Sequence, residues 1–548
     1  MSFTDTEISH HSPRPSAFLR PDRNRDPAHS TEFWTQPRRV AVLAMVAAFF
    51  VVLFGGSLDL GESESRLGLA AQESLGPFGQ VFGGWDPSIW VGQLIPSLAW
   101  AWGEGFMPTI ASIRWPAVIA GIAIGFVLSR RSALILNGRA AILIGICWYG
   151  SLGLIDRSSS TGLDLITGLW MVAAIDRILS RGSDLTAGCW LSLAFLCGGW
   201  PPVALVALAT VVIGRSGSAF SWRLLTPSAV VAAAWSAWAL KVAPAEAWAA
   251  ALTMPLTQKP AWLLVPAVFS IGLPWSPLAA IMLSRPVRAS LTPKGRALVL
   301  GWLQVAGACL LAGTLVPGLA TAASVPALAA LAIASGAACD RMLAGVDAPG
   351  ARRWFLGCTV AIGLLWALIV SVGGGYLTAA VAYYRPVSIA LILISVPVAC
   401  LAVWAASRRN LRASWLAVFT LAICFKLAHA GYYVPEWNYR MSQGPWGRAI
   451  GQWVPPKWPI YTTMAWRADL AFATERPVHQ LLSPRHLQYQ PGEARYVLLH
   501  AAEFENWPEN ALKLNKVAEF RDEFDARRVL ARTEGPLPWT RPVIKDAE

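Results

Sequence analysis

VAVLAMVAAFFVVLFGG (40–56), followed almost at once by DLGESESRLGLAAQES (59–74), is where the chain declares its environment. The first run carries no charge over a length that suits the hydrocarbon core of a bilayer. The second places Glu62, Glu64, Arg66 and Glu73 in one short, helix-compatible stretch directly after it. Charge this close to a bilayer is costly, so such residues are either solvated at the interface or used in chemistry.

Apolar runs of similar length recur along most of the chain, at 40–57, 113–129, 140–155, 164–178, 185–199, 201–214, 224–242, 262–283, 297–315, 323–339, 354–372, 387–406 and 413–430. With 55% hydrophobic and only 14% charged residues, the chain reads as an α-helical polytopic membrane protein of about 13 transmembrane helices. Residues 1–39 are polar and rich in Pro, Ser and Arg, and are expected to form a disordered cytoplasmic tail ahead of an uncleaved first anchor.

The net charge of +13 is explained by where the cations fall. Arg38 and Arg39, then Arg130, Arg131 and Arg139, then Arg177 and Arg181, Arg215 and Arg223 occupy every second loop. Arg285, Arg288, Lys294 and Arg296, then Arg341, Arg352 and Arg353, then Arg408, Arg409 and Arg412 continue the series. The alternate loops hold isolated cations, among them Arg66, Arg157, Lys241, Lys259 and Arg385. That asymmetry is the positive-inside rule, so the basic balance sets topology and implies no nucleic acid partner. With the N-terminus in the cytoplasm, an odd number of spans then puts the chain from Gly431 onward outside.

Three regions follow: the tail 1–39, a transmembrane domain over 40–430 with a long external loop at 58–112, and an extracytoplasmic α/β domain over 431–548. The loop suits amphipathic helices lying on the membrane surface. In the C-terminal region, alternation in WPIYTTM, VHQLLS and ARYVLLH predicts strands, RADLAFATE a helix, and FDARRVLART a further strand. All eight cysteines lie in or beside apolar runs with no CxxC pair, and read as small core residues. There is no Walker sequence, no G-x-G-x-x-G after a strand and no H-E-x-x-H. GGWPP (198–202) and VGGGY (372–376) read as helix breaks or close-packing points.

The pattern resembles the membrane glycosyltransferases of the GT-C fold, especially the lipid A aminoarabinose transferases and protein O-mannosyltransferases. Three stretches carry the resemblance: SESRLGLAAQE (63–73) against the family's Asp-Glu-x-Arg-Tyr motif, TGLDLITGLWMVAAI (161–175) and IGLPWSPLAA (271–280). The stretch IYTTMAWRADLAFATERPVHQLL is similar to the family's external domain. The departures are specific. Ser63 stands where the family has its catalytic Asp, Leu67 replaces the Tyr, Asp86 occupies a position usually held by a cation, and Gly198 one usually held by Lys.

The resemblance implies sugar transfer from a polyprenyl-phosphate donor to a lipid, glycan or protein acceptor at the outer face of the inner membrane. Such chemistry needs a carboxylate to activate or orient the acceptor hydroxyl and cations to offset charge on the departing phosphate. Glu62 or Glu64 would supply the carboxylate in place of the missing Asp, with Asp164 as a second one; Arg66, Arg157, Lys259 and Arg385 are the candidate phosphate-binding cations.

Each candidate has a structural reading beside the chemical one. Glu62 and Arg66 are four apart and suit a solvated helical pair. Asp164 suits the positive end of a helix dipole, and Arg157, Lys259 and Arg385 suit headgroup anchoring. No cofactor is assigned, and a divalent ion shared by external carboxylates is left open. Two other functions stay open: a GT-C scaffold that binds or assembles without transferring sugar, and a transporter or flippase. The latter needs ionisable groups at mid-depth.

Overall fold

The computed structural model describes residues 37–53, 59, 65, 110–158, 163–213, 222–242, 261–455, 458–463, 468–476, 478–481, 487, 495–509, 511–521 and 527–533. Every apolar run predicted from the sequence carries helix. The first is α1 (Pro37–Ala47), prolonged by a π-helical turn over Ala48–Val52. Then follow α2 (Ile110–Ile135), α3 (Gly138–Tyr149), a short α4 (Leu152–Arg157), α5 (Leu163–Leu179), α6 (Asp184–Gly198), α7 (Trp200–Val212) and α8 (Trp222–Val242). Among the described residues six helices are long and apolar enough to cross a membrane, or seven if one bent pair forms a single span.

That bent pair is α9 (Leu264–Ile271) with α10 (Ser276–Ala279), and it departs from the single straight span expected over 262–283. The two halves meet at 103°. The sequence between them is GLPW, in which Pro274 offers no N–H to the helix ladder. Ser276 turns its hydroxyl back to donate to the Phe269 carbonyl at 2.6 Å, satisfying a group the break would otherwise leave open.

The second half of the bundle contains α11 (Pro293–Leu315), α12 (Ala320–Leu343), α13 (Pro349–Ala380), α14 (Arg385–Ser407) and α15 (Leu411–Ala428). The last continues through π-helical turns at His429–Tyr433 and Trp437–Met441. Helix α12 is the central post: 94% of its apolar window is buried, against 22% for α13. Its sequence explains the difference, because the run ALAALAIASGAA lets neighbouring backbones approach closely, which is how helices associate where hydrophobicity gives no preference. At Gly336 a Cβ would lie 2.6 Å from the Ile144 backbone nitrogen. Helix α13 instead turns Leu364, Leu365, Leu368, Ile369 and Val372 outward, as a lipid-facing helix does.

GGWPP breaks the chain as expected, with Gly199 at φ +69° between α6 and α7. VGGGY does not: α13 runs through it unbroken, and only Gly374 packs closely, against Ile392. Five cysteines are buried, but Cys189 and Cys400 lie exposed on the bundle surface, so the core reading does not extend to them.

At the Arg-rich end, Asp340 at the foot of α12 gathers the cations. Its carboxylate accepts from Arg139 at 2.6 Å, from Arg341 at 2.5 Å and from Asn137 at 3.0 Å, tying the α2–α3 turn to the central post. Beyond the bundle, α16 (Gly444–Trp453) and α17 (Ala468–Thr474) pack beside a five-stranded sheet. Its strands are β1 (Ile460–Thr462), β2 (Val478–Gln480), β3 (Tyr496–His500), β4 (Leu514–Arg521) and β5 (Arg527–Thr533), in the order β2-β1-β3-β5-β4. β1 pairs parallel with β2 and β3, and β5 pairs antiparallel with β3 and β4. The core of this unit holds Ile450, Ile460, Leu498 and Leu530.

Candidate functional site

The helix ends at the sheet side of the bundle converge on Gly121 of α2. A Cβ there would lie 3.0 Å from Leu154 of α4, 3.8 Å from Leu165 of α5 and 3.9 Å from Val51 at the end of α1. Two of these neighbours stand within a turn of charge: Leu154 precedes Arg157 and Leu165 follows Asp164. Convergence of small and branched residues therefore draws a cation and a carboxylate to one end of the bundle.

Arg157 closes α4 and Asp164 opens α5. Arg157 Nε lies 2.5 Å from Asp164 Oδ2, and Arg157 Nη2 donates to Ser324 Oγ of α12 at 3.0 Å. Asp164 Oδ1 also accepts from the Leu165 backbone N–H at 3.0 Å, favourable at a helix N-terminus. The two side chains remain 19% and 26% exposed, so the pair is fixed yet open to a ligand. The sequence candidates Arg157 and Asp164 are thus brought together.

Asp59 is engaged through all of its polar atoms. Arg448 of α16 donates Nη1 to Oδ1 at 2.9 Å and Nη2 to Oδ2 at 3.1 Å, the two-pronged geometry that suits guanidinium and carboxylate. Its backbone N–H donates to Asn438 Oδ1 at 2.7 Å, and its carbonyl accepts from Arg114 Nη2 of α2 at 3.1 Å. Arg114 is almost fully buried. Asp59 is therefore held by α2, by the end of the last long helix and by α16.

Glu62, Glu64, Arg66 and Lys259 lie outside the described residues. Arg385 is exposed at the start of α14 and donates to the Thr378 carbonyl at 3.3 Å. Among the described residues no hydrogen bond or ion pair joins it to Arg157 or Asp164. At Gly198 a Cβ would stand 2.8 Å from Thr167 Cγ2, so the position where the resembled family carries Lys is a packing point. Among the described residues no three His, Cys, Asp or Glu side chains gather as a metal cluster.

On the sheet, Tyr461 of β1 lies beside His479 of β2 with ring centroids 5.5 Å apart, and Arg495 stands 5.2 Å over the Tyr461 ring. Partial burial, and secondarily the Arg495 charge, lower the pKa of His479 from its ordinary value of 6.5.

Asp59, Arg114, Asn438 and Arg448 were not among the candidates read from the sequence. Asp59 could have been found as the first carboxylate after the first apolar run, and Arg114 as a cation inside a predicted span. Nothing local marks Arg448, whose partner lies 389 residues away.

The sequence matches no protein-family model and no curated protein. Among solved structures, the chain is similar to ArnT from Cupriavidus metallidurans bound to undecaprenyl phosphate, with a TM-score of 0.67 and 17% identity over 91% of this chain and 98% of that one. The apo state of the same protein gives a TM-score of 0.63 at 16% identity, covering 92% and 98% of the two chains. The likeness extends over nearly the whole length of both chains, and the fold they share is the GT-C fold.

Proposed function

We propose that this chain is a membrane glycosyltransferase that moves a sugar from a polyprenyl-phosphate donor to a lipid, glycan or protein acceptor. One observation carries the reading. The Arg157–Asp164 pair stands partly exposed at one end of a bundle whose fold is shared with a protein solved with undecaprenyl phosphate. In the reaction, the acceptor O–H loses its proton to a carboxylate, its oxygen bonds to the sugar's anomeric carbon, and the bond from that carbon to the phosphate oxygen breaks. Asp164, with Glu62 or Glu64 on the loop, supplies the carboxylate, and Arg157 offsets charge on the leaving phosphate. Arg66, Lys259 and Arg385 are further candidates for the phosphate.

In this reading the chain is a multi-pass protein of the inner membrane with a cytoplasmic N-terminus and a periplasmic C-terminal domain. The cations gathered by Asp340 at the opposite end support that orientation, since cytoplasmic ends are the basic ones.

The test is transfer itself. Purified protein in lipid is given radiolabelled polyprenyl-phosphate sugars with a membrane lipid and protein extract, beside Glu62→Gln, Glu64→Gln and Asp164→Asn. Loss of transfer by about 10²–10⁴-fold in a carboxylate variant that still folds is the expected result. A second reading, a scaffold that binds without transferring, is favoured by the packed Gly198. It gains if donor lipid binds and no sugar moves.

A further inference from the structure

Lys426 sits on α15 two turns beyond Phe419, which packs on Phe50 of α1 with ring centroids 6.5 Å apart. One turn before it, Ala422 Cβ lies 3.5 Å from where a Cβ on Gly150 would stand, just ahead of α4. Residues 419, 422 and 426 share one helical face, so Lys426 is on the face of α15 turned toward α1 and the α3–α4 junction. α4 is the short helix that carries Arg157.

The side chain is 1% exposed. Among the described residues no hydrogen bond or ion pair reaches its ammonium. Glu436, the first carboxylate further along the same helix, accepts from the Tyr384 hydroxyl at 2.7 Å. Arg157, the cation of the neighbouring α4, already has Asp164. One turn past Lys426, His429 has both ring nitrogens buried and without a hydrogen-bond partner, and the indole N–H of Trp437 is in the same state two turns further on. A buried ammonium without a counter-charge is one of the costliest arrangements a protein can hold. Lys426 and His429, one turn apart on one helix, find no hydrogen-bonding partner among the described residues, and together they mark a place for an added group. The missing group must be an anion that accepts hydrogen bonds.

We propose that Lys426 and His429 hold the phosphate of a phosphorylated lipid. The proposal rests on the lipid-phosphate donor of the function above and adds a binding position on the last long helix. An ammonium contributes a point charge and up to three donors, and an imidazole N–H a directed one; together they suit a tetrahedral oxyanion.

The experiment reads binding without sugar transfer. The full chain in nanodiscs is titrated with undecaprenyl phosphate, with undecaprenol and with inorganic phosphate, and the thermal midpoint is followed for wild type, Lys426→Met and His429→Leu. Lys426→Met is expected to fold, with a midpoint equal to or above wild type in the absence of ligand, because it removes a buried charge. Undecaprenyl phosphate should raise the wild-type midpoint and bind Lys426→Met at least tenfold more weakly, with a smaller loss in His429→Leu, while undecaprenol treats all three alike. A rise with inorganic phosphate in wild type alone also supports the site and names free phosphate as a source. Equal binding of undecaprenyl phosphate by wild type and Lys426→Met overturns it, even where transfer is observed. Binding lost in Lys426→Met with no transfer from any donor leaves the site standing and removes the transferase reading.

Discussion

Arg448 grips both carboxylate oxygens of Asp59, at 2.9 and 3.1 Å, and so fastens a residue that closely follows the first helix to the C-terminal region. The Asp59 side chain is 10% exposed and the Arg448 side chain 50%, so the carboxylate is the member that suffers when the pair is broken. Discounting for the solvated guanidinium, Arg448→Met is expected to cost about 1–3 kcal/mol. It should also hasten proteolytic release of the sheet domain. A double-mutant cycle with Asp59→Asn should return a coupling of about 1 kcal/mol or more; strict additivity would show that the contact does not fasten the loop.

The central post gives a sharper packing test. Gly336→Ala would put a methyl 2.5 Å from Ile144 Cγ1 and 2.6 Å from its backbone, which cannot swing aside as a side chain can. We expect a loss of about 1–3 kcal/mol, read as a lower unfolding midpoint in detergent. Gly307→Ala in α11 is the control, since nothing lies within 4 Å of its Cβ position. It should be neutral or stabilising, as alanine favours the helix by up to about 1 kcal/mol.

For the Arg157–Asp164 pair, Arg157→Lys keeps the charge but loses the planar fork that reaches both Asp164 and Ser324. Transfer should fall by at least about tenfold with a smaller effect on the unfolding midpoint, because lysine keeps a positive charge against Asp164. A Lys variant as active as wild type would argue that only charge matters there.

The sheet carries a pH prediction. His479 is held below its ordinary pKa of 6.5, first by partial burial and second by Arg495. Between its folded and unfolded pKa values the unfolded chain binds more protons, so stability rises with pH through that window and is lost as pH falls below about 6.5. His479→Gln should flatten the acid limb of the midpoint-versus-pH curve. Arg495→Gln should move the His479 titration, followed by NMR, only part of the way back, since burial is the larger cause.

Hydropathy gave the helices away because bilayer-length apolar runs have few other uses, and alternation in ARYVLLH and RRVLART marked β3 and β5, which pair in the middle of the sheet. β4 escaped because it is an edge strand, and LNKVAEFR carries the charges that keep edges from pairing with other chains. The break at Pro274 escaped because hydropathy reports composition and not backbone direction. IGLPWSPLAA had been noticed as a resemblance, while its effect on the span is local geometry. At the site, the four-residue spacing of Glu62 and Arg66 drew attention to a local pair. Asp59, three residues earlier, depends on a guanidinium whose distance along the chain hides it from any reading of neighbours. Lys426 shows the converse: its burial, with no partner among the described residues, depends on helices distant in sequence and is legible only in the fold.

The separation between Asp59 and Arg448 also sets an order of events during synthesis. The carboxylate is translated 389 residues before its guanidinium, which at ribosomal rates of about 5–20 residues per second is an interval of ~20–80 s. Throughout that interval the loop after the first helix is tied only to what has already been made, Arg114 among it. Asn438 and Arg448 arrive together with the end of the last long helix. The anchoring of the loop is therefore a late act of biogenesis, following every long helix of the bundle, and a chain truncated before Gly444 would insert its helices with Asp59 still unanchored by Arg448.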